Sequence, residues 1–337
     1  ELARLNSLPL CQDTGVVVVF MEIGNNVFID GDIYESINEG VRQGYKEGYL
    51  RKSMVNHPFN RENTLDNTPA IIHTKLVEGN KIRLKIASKG GGSENMSKVT
   101  MLTPADSIDG VKKLVLDTIF NAGGKPCPPI IVGIGIGGTA EKAMILAKES
   151  LMAPVDIHEL RARGPQSRAE ELRLEIMDAA NRTGIGAQGL GGLTTVLDVK
   201  IMDYPTHAAS LPVAMIPNCA ATRHAHFTLT GEGPALQTPP DITQWPEISW
   251  EPGESVRKVN LDTVTREDIH TWMSGDTLLL SGTMLTGRDA AHKRMTQMLE
   301  QGEPLPVDLR GKFIYYVGPV DPVRDEAVGP AGPTTAT

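Results

Sequence analysis

Apolar residues near the start of the chain follow the spacing of β-strands. The run GVVVVFMEIG at 15–24 is almost continuous, which is typical of a strand buried on both faces. The segment NNVFIDGDI at 25–33 predicts a second strand after a turn at Gly24-Asn25-Asn26. Residues 69–88 alternate apolar and polar positions on both sides of Glu78-Gly79-Asn80, and this pattern predicts a β-hairpin.

Other segments repeat their apolar positions every three or four residues, as amphipathic helices do. The predicted helices are 33–55, 106–124, 139–152 and 168–184. Further buried strands are predicted at 126–138, 192–205 and 209–219. Because helices and strands are interspersed with hairpin-like pairs, we predict an α/β fold of the mixed α+β kind rather than a purely parallel sheet.

The pattern changes between residues 231 and 255, where five prolines occur and periodicity is lost. A capped helix, a strand and a second helix beginning at Gly287-Arg288-Asp289 are predicted beyond it. We therefore predict a large mixed-sheet domain at 1–232, a Pro-rich linker at 233–254 and a smaller α/β domain at 255–337.

Charge and composition exclude several classes of protein. The formal net charge of −8 argues against a nucleic-acid partner, and no apolar run approaches the roughly 20 residues of a membrane span. Three widely spaced cysteines do not form a secreted disulfide framework, so we expect a reducing compartment. The expected location is the cytoplasm, or the mitochondrion if a leader precedes Glu1.

Each of the three cysteines lies beside glycine, proline or a polar residue, at Cys11, Cys127 and Cys219. Three thiolates from distant parts of a chain can hold zinc or an iron–sulfur cluster, and three on a four-iron cluster leave one iron open. The alternative is three buried structural thiols, since no pair has the C-x-x-C spacing.

Two glycine-rich segments are candidates for binding anions. GIGIGG at 133–138 fits the dinucleotide pattern G-x-G-x-x-G between a strand and a helix, so a NAD-dependent oxidoreductase is one hypothesis. The alternative is a tight turn that allows close helix–strand packing. KGGGSEN at 89–95 can present consecutive N–H groups to a carboxylate, or be a mobile loop.

Histidine and arginine residues cluster in the second half of the chain. His224 and His226 would share one face of a strand and could bind a metal, although a lone histidine is more often structural. Arg288 at a predicted helix start opposes the helix dipole, which indicates an anionic ligand nearby unless the arginine is simply at the surface.

Taken together, these segments resemble the class I, iron–sulfur fumarate hydratases and the similar L-tartrate dehydratases. The resemblance extends through nearly the whole chain in the family's order. The segments that carry it are PLCQDTG, KGGGSEN, PCPPIIVGIGIGGT, GAQGLGG, PTHAASLPV with the following NC, SGTMLTGRDAAHKR, IYYVGPV and GPTTA.

The resemblance implies a 4Fe–4S cluster held by Cys11, Cys127 and Cys219, with the fourth iron free for substrate. It implies reversible hydration of fumarate to S-malate by a homodimer, with the active site between two domains. Tartrate and mesaconate are alternative substrates, because they differ from fumarate by few atoms.

Substrate-binding roles carry over where the motifs match. The resemblance implies that Gln12 and Asp13 reach the substrate, that Arg51 and Arg288 pair with carboxylates, and that Gly92 donates a backbone N–H.

The resemblance also implies roles in proton transfer. Thr334 matches the family's proposed catalytic base, and His207 is expected beside Asp13, where it would help to move the proton of the leaving hydroxyl. The family has a further arginine and lysine after GPTTA and a helical region before PLCQDTG. We therefore expect this chain to be a fragment with a truncated C-terminal domain.

Overall fold

The structure is a computed structural model that describes residues 13–235, 253, 256–273 and 276–318 of the chain. The described residues fall into two compact units, which are 13–235 and 253–318. Cys11, Gln12, Thr334 and most of the expected linker lie outside the described residues.

The first unit contains two four-stranded sheets. Sheet A comprises β1 (Val16–Gly24), β2 (Ile71–Val77), β3 (Ile82–Lys89) and β8 (Arg223–Leu229), in the order β2-β1-β3-β8. Sheet B comprises β4 (Lys98–Leu102), β5 (Ile130–Gly137), β6 (Val196–Tyr204) and β7 (Leu211–Cys219), in the order β4-β7-β5-β6. Both sheets mix parallel and antiparallel pairs, which confirms the predicted mixed α/β fold class.

Six helices of the first unit are described. They are α1 (Ile33–Glu47), α2 (Gly91–Glu94), α3 (Ser107–Ala122), α4 (Ala140–Ser150), α5 (Ile157–Arg163) and α6 (Arg168–Asn181). The predicted helices at 106–124, 139–152 and 168–184 are confirmed within a few residues. The first predicted helix ends earlier than expected, at Glu47.

The helices and sheets stack in layers, and helix α4 lies between the two sheets. Ala143 and Ala147 pack against Ala214 and Ile216 of sheet B. Ile145 packs on the other side with Val18 and Phe20 of sheet A. Helix α1 covers the second face of sheet A, while α3 and α6 cover the second face of sheet B. The valine run of β1 is therefore buried on both faces, as its continuous apolar character predicts.

Two expectations about sheet A are wrong. The segments 71–77 and 82–89 do not pair as a hairpin, because β1 lies between them, parallel to β2 and antiparallel to β3. An alternating pattern fixes which face of each strand is buried but does not identify its neighbour. Residues 25–33 form no strand, and the Asp32 carboxylate instead caps helix α1 by accepting from the N–H groups of Tyr34 and Glu35.

The second unit contains two small parallel strand pairs and two helices. Strand β9 (Arg257–Asn260) pairs with β10 (Leu278–Ser281), and β11 (Leu285–Thr286) pairs with β12 (Ile314–Tyr315). Helix α7 (Arg266–His270) begins at a capping box of Thr265 and Asp268, and helix α8 (Asp289–Glu300) follows Arg288. None of the helices in the described part of the chain is long and apolar enough to cross a bilayer.

The glycines of the GIGIGG motif serve helix packing. Gly133 and Gly135 lie inside β5, directly beneath α4. A Cβ on Gly133 would lie 2.2 Å from the carbonyl oxygen of Ala147, and one on Gly135 would lie 2.0 Å from that of Ala143. The helix backbone therefore fills the space that a pyrophosphate would need, so the dinucleotide-binding hypothesis is wrong and the close-packing alternative is correct.

We predict that Gly135→Ala lowers the free energy of unfolding by about 1–3 kcal/mol or more, because its methyl group would force α4 away from sheet B. Gly40→Ala is the matched control. A Cβ on Gly40, which is exposed on α1, meets nothing within 4 Å, so alanine should stabilise the helix by about 0.5–1 kcal/mol. Urea unfolding of both variants measures the difference, and equal midpoints would contradict the packing argument.

Candidate active site

The carboxylate of Asp13 connects three separate parts of the first unit. Its Oδ1 accepts from the Gly15 N–H at 3.0 Å and pairs with Nη2 of Arg51 at 2.9 Å. Its Oδ2 accepts from the Gly91 N–H, at the start of the glycine-rich turn, at 3.1 Å. Asp13 therefore holds the entrance of β1, the segment after α1 and the KGGGSEN turn together.

The short sequence Asp13-Thr14-Gly15 is required by the close approach of β1 to β3. Gly15 has a φ of +58°, and a Cβ there would lie 1.9 Å from the carbonyl oxygen of Lys89. The preceding carbonyl, of Thr14, accepts from the hydroxyls of Tyr45 and Ser88. Burial raises the pKa of Tyr45, so it stays a neutral donor at this position.

Asn67 fixes the segment that carries Arg51. It is fully buried and has a φ of +65°, a conformation that asparagine tolerates better than most residues. Its Oδ1 accepts from the N–H groups of Ser53 at 2.6 Å and Met54 at 3.1 Å, and its Nδ2 donates to the Gly15 carbonyl at 3.1 Å. Asn67 thus connects the Arg51 segment to the backbone beside Asp13.

Arg223, the first residue of β8, donates from its guanidinium to the backbone carbonyl of Asp13. Its Nε is buried and has no hydrogen-bond partner among the described residues. The sequence places Arg223 among histidines but gives no sign of this contact, because the strand that carries it is 210 residues from Asp13.

Cys127 and Cys219 lie at the same end of sheet B. Cys219 is the last residue of β7 and pairs with Ile130, the first residue of the antiparallel strand β5. Cys127 precedes Ile130 by three residues, and its N–H donates to the Gly124 carbonyl at 3.0 Å. The glycine-rich turn reaches the same place, since a Cβ on Gly92 would lie 3.6 Å from the Lys125 carbonyl.

The donor chemistry at this end of the sheet fits an iron–sulfur centre. Two thiols are present there, and Cys11 precedes Asp13 by two residues but lies outside the described part. Across the residues that the structure describes, no group of three or more His, Cys, Asp or Glu side chains is arranged to hold a metal ion. The three-cysteine ligand set that the resemblance implies therefore stays a prediction, because Cys11 lies outside the described residues.

His224 and His226 lie on one face of β8, with ring centroids 4.9 Å apart. Burial is the main cause that lowers the pKa of each imidazole. Among the described residues, no third side chain is placed to bind a metal ion together with these two histidines.

His207 is not brought to Asp13. It lies in the exposed turn between β6 and β7, where its Nδ1 accepts from the Ala209 N–H at 3.1 Å. This turn is next to Gly138, after the end of β5, whereas Cys219 is beside the start of β5. An eight-residue strand spans roughly 25 Å, so the expectation that His207 lies beside Asp13 within one chain is wrong.

Arg288 lies in the second unit, at the N-cap of α8, as its sequence context predicts. Its carbonyl accepts from the His292 N–H at 2.9 Å, and its side chain is half-buried. Among the described residues, its guanidinium makes no ion pair.

A large apolar cavity of about 760 Å³ lies between α1 and sheet A, bordered by Tyr45, Ser88 and Arg223 at one side. Most of its lining is aliphatic, including Val17, Ile37 and Leu84. A dicarboxylate needs cations and N–H donors, so this cavity does not suit such a substrate.

Two protein-family models together match almost the whole chain. The model "Fumarate hydratase (Fumerase)" matches residues 1–228, and "Fumarase C-terminus" matches residues 231–337. A protein of Methanocaldococcus jannaschii assigned as an L(+)-tartrate dehydratase alpha subunit is 46% identical over 235 residues, covering 67% of this chain and 79% of that protein.

Two relatives with fumarate hydratase names match almost all of the chain. The anaerobic class I fumarate hydratase of Escherichia coli is 30% identical, and the match extends over 100% of this chain and 63% of that protein. Fumarate hydratase 2 of Leishmania major is 32% identical, and the match extends over 98% of this chain and 60% of that protein. The chain thus spans a little under two thirds of these two proteins.

We predict that Asn67→Ala lowers the free energy of unfolding by about 1–3 kcal/mol, because it removes the acceptor of two partly buried N–H groups and one of two side-chain donors to the buried Gly15 carbonyl. The exposed Asn60→Ala should change it by less than about 0.5 kcal/mol. Chemical denaturation of both variants provides the comparison. A loss of under about 1 kcal/mol for Asn67→Ala would show that Asn67 does not hold this segment.

Proposed function

This chain belongs to the class I fumarate hydratase family, and from this premise we propose that it carries most of the active site of an iron–sulfur hydro-lyase. The proposed reaction is the reversible hydration of fumarate to S-malate. The observation that supports it best is the convergence of Asp13, the glycine-rich turn and the strand ends that carry Cys127 and Cys219.

Cys11, Cys127 and Cys219 would hold a 4Fe–4S cluster. When bound, such a cluster supplies a Lewis acid that polarises a hydroxyl or carboxylate oxygen. The residues around it must then supply everything else, which is charge complementarity, orientation and proton transfer.

Hydration and dehydration both need cations near the substrate. The C–H group next to a carboxylate is a very weak acid, and the charge that develops on the carboxylate must be stabilised. We assign this task to Arg51, Arg288 and the Gly92 N–H, with Gln12 as a further polar contact. The Asp13 carboxylate contacts Nη2 of Arg51 at 2.9 Å, which fixes the position of this guanidinium.

Hydroxide is a poor leaving group, so an acid must protonate it. We assign the oxygen side to Asp13, whose protonated form would donate its proton to the leaving hydroxyl and become the carboxylate that Arg51, Gly15 and Gly91 orient. Thr334 is the proposed base on the carbon side. His207 is given no role next to Asp13 in the same chain, because it lies at the other end of β5.

The proposal includes a homodimer and leaves two alternative substrates, tartrate and mesaconate. Mesaconate differs from fumarate by one methyl group and tartrate differs from malate by one hydroxyl group, so a few pocket atoms decide between them. Parallel assays on all three acids after anaerobic reconstitution distinguish these substrates, and sedimentation velocity measures the oligomeric state.

We predict that the full-length protein, reconstituted anaerobically with iron and sulfide, is brown and hydrates fumarate, and that air abolishes this activity. Cys127→Ser and Cys219→Ser should each lower the iron content per chain and abolish turnover, because a three-thiolate site cannot lose a ligand. Melting of the metal-free variants close to the wild-type temperature is the control for folding. A Cys219→Ser protein with full iron content and full turnover would disprove the ligand assignment.

A further inference from the structure

Lys89, the last residue of β3, is almost completely buried at 2% exposure. Its ammonium group contacts residues of the glycine-rich turn that follows it. Nζ donates to the Ser93 hydroxyl at 2.6 Å and to the Gly90 carbonyl at 3.2 Å, and it lies 3.3 Å from the Glu94 carboxylate. Lys89 therefore contacts three of the residues that give the turn its shape.

A second, partly buried lysine completes this cluster. Lys148 projects from α4 and pairs with the same carboxylate of Glu94. Two ammonium groups thus share one carboxylate, and the cluster of Lys89, Glu94 and Lys148 carries a net positive charge. Burial, although opposed by Glu94, lowers the pKa of both lysines, that of Lys89 to about 8.

This arrangement is unfavourable for stability. Glu94 is only partly buried and already pairs with Lys148, so the buried ammonium of Lys89 adds a desolvation cost with no carboxylate of its own. An apolar side chain of similar length at position 89 would avoid that cost. A surplus buried lysine is the kind of feature that proteins retain at functional sites at the expense of stability.

The contacts of Lys89 show what it does at this place. The turn that it holds donates the Gly91 N–H to Asp13 and places Gly92 beside the Lys125 carbonyl, two residues before Cys127. Ser93 Oγ also donates to the Gly90 carbonyl, so the turn is braced from within and from Lys89.

We infer that Lys89 is a positioning residue of the proposed hydro-lyase, which holds the Gly90–Ser93 turn so that its N–H groups face Asp13 and the substrate. This inference rests on the proposed function. Lys148 then acts only on Glu94, so it matters less for catalysis than Lys89 does.

The test compares Lys89→Met, which removes the buried ammonium, and Lys148→Met, which removes the partly buried one, with Lys113→Met, which removes an exposed lysine of α3. For Lys89→Met we expect at least a tenfold loss in kcat/KM, mainly through a higher KM, with wild-type iron content. The metal-free variant should melt at or above the wild-type temperature. Lys148→Met should lose less than threefold, and Lys113→Met should match wild type.

Hydrogen exchange of the metal-free protein provides a readout that does not depend on turnover. Amides 90–95 should exchange faster in Lys89→Met than in wild type or Lys148→Met. Unchanged exchange and unchanged kcat/KM in Lys89→Met would overturn the inference, as would equal losses in Lys89→Met and Lys148→Met. If wild type neither hydrates fumarate or mesaconate nor dehydrates tartrate, the proposed function fails, while the exchange experiment still tests the role of Lys89.

Discussion

The close packing of α4 between the two sheets is the constraint on which the candidate site depends. Gly133 and Gly135 on sheet B let the helix backbone approach to a distance that no side chain would permit. Alanines at 143 and 147 keep the helix face small. Because this distance is fixed, the turn that leaves β3 of sheet A can reach the end of β7 in sheet B, where Cys219 lies.

Ion pairs and hydrogen bonds then fix the orientation of the side chains that packing brings together. The Asp13–Arg51 pair is partly buried and braced by two N–H donors, so it holds its geometry better than an exposed pair, which contributes little. Asn67 adds no charge but bonds the buried Gly15 carbonyl and two partly buried N–H groups, and losing such partners costs more than losing a surface ion pair. Orientation of the carboxylate thus depends on neutral hydrogen bonds as much as on Coulomb attraction.

Local patterns in the sequence predict most individual helices and strands but not which elements lie next to each other. The strands at 16–24, 130–137 and 211–219 and three long helices follow from periodicity alone. The order of sheet A does not, since period-two alternation contains no information about which strand lies between two others. Tertiary contacts also decide the roles of Asn67, Lys89 and Arg223, whose partners come from distant segments, and the sequence gives no local signal for them.

The two glycine-rich segments show why a motif needs its structural context. GIGIGG and KGGGSEN both offer backbone without side chains, and from sequence both are candidates for anion binding. In GIGIGG, Gly133 and Gly135 lie within a strand and are covered by helix backbone, so their lack of Cβ atoms serves packing. In KGGGSEN, a Cβ on Gly91 would meet nothing within 4 Å, and its N–H already binds a carboxylate oxygen of Asp13. Space beside the glycine, rather than the glycine itself, separates a packing motif from a binding turn.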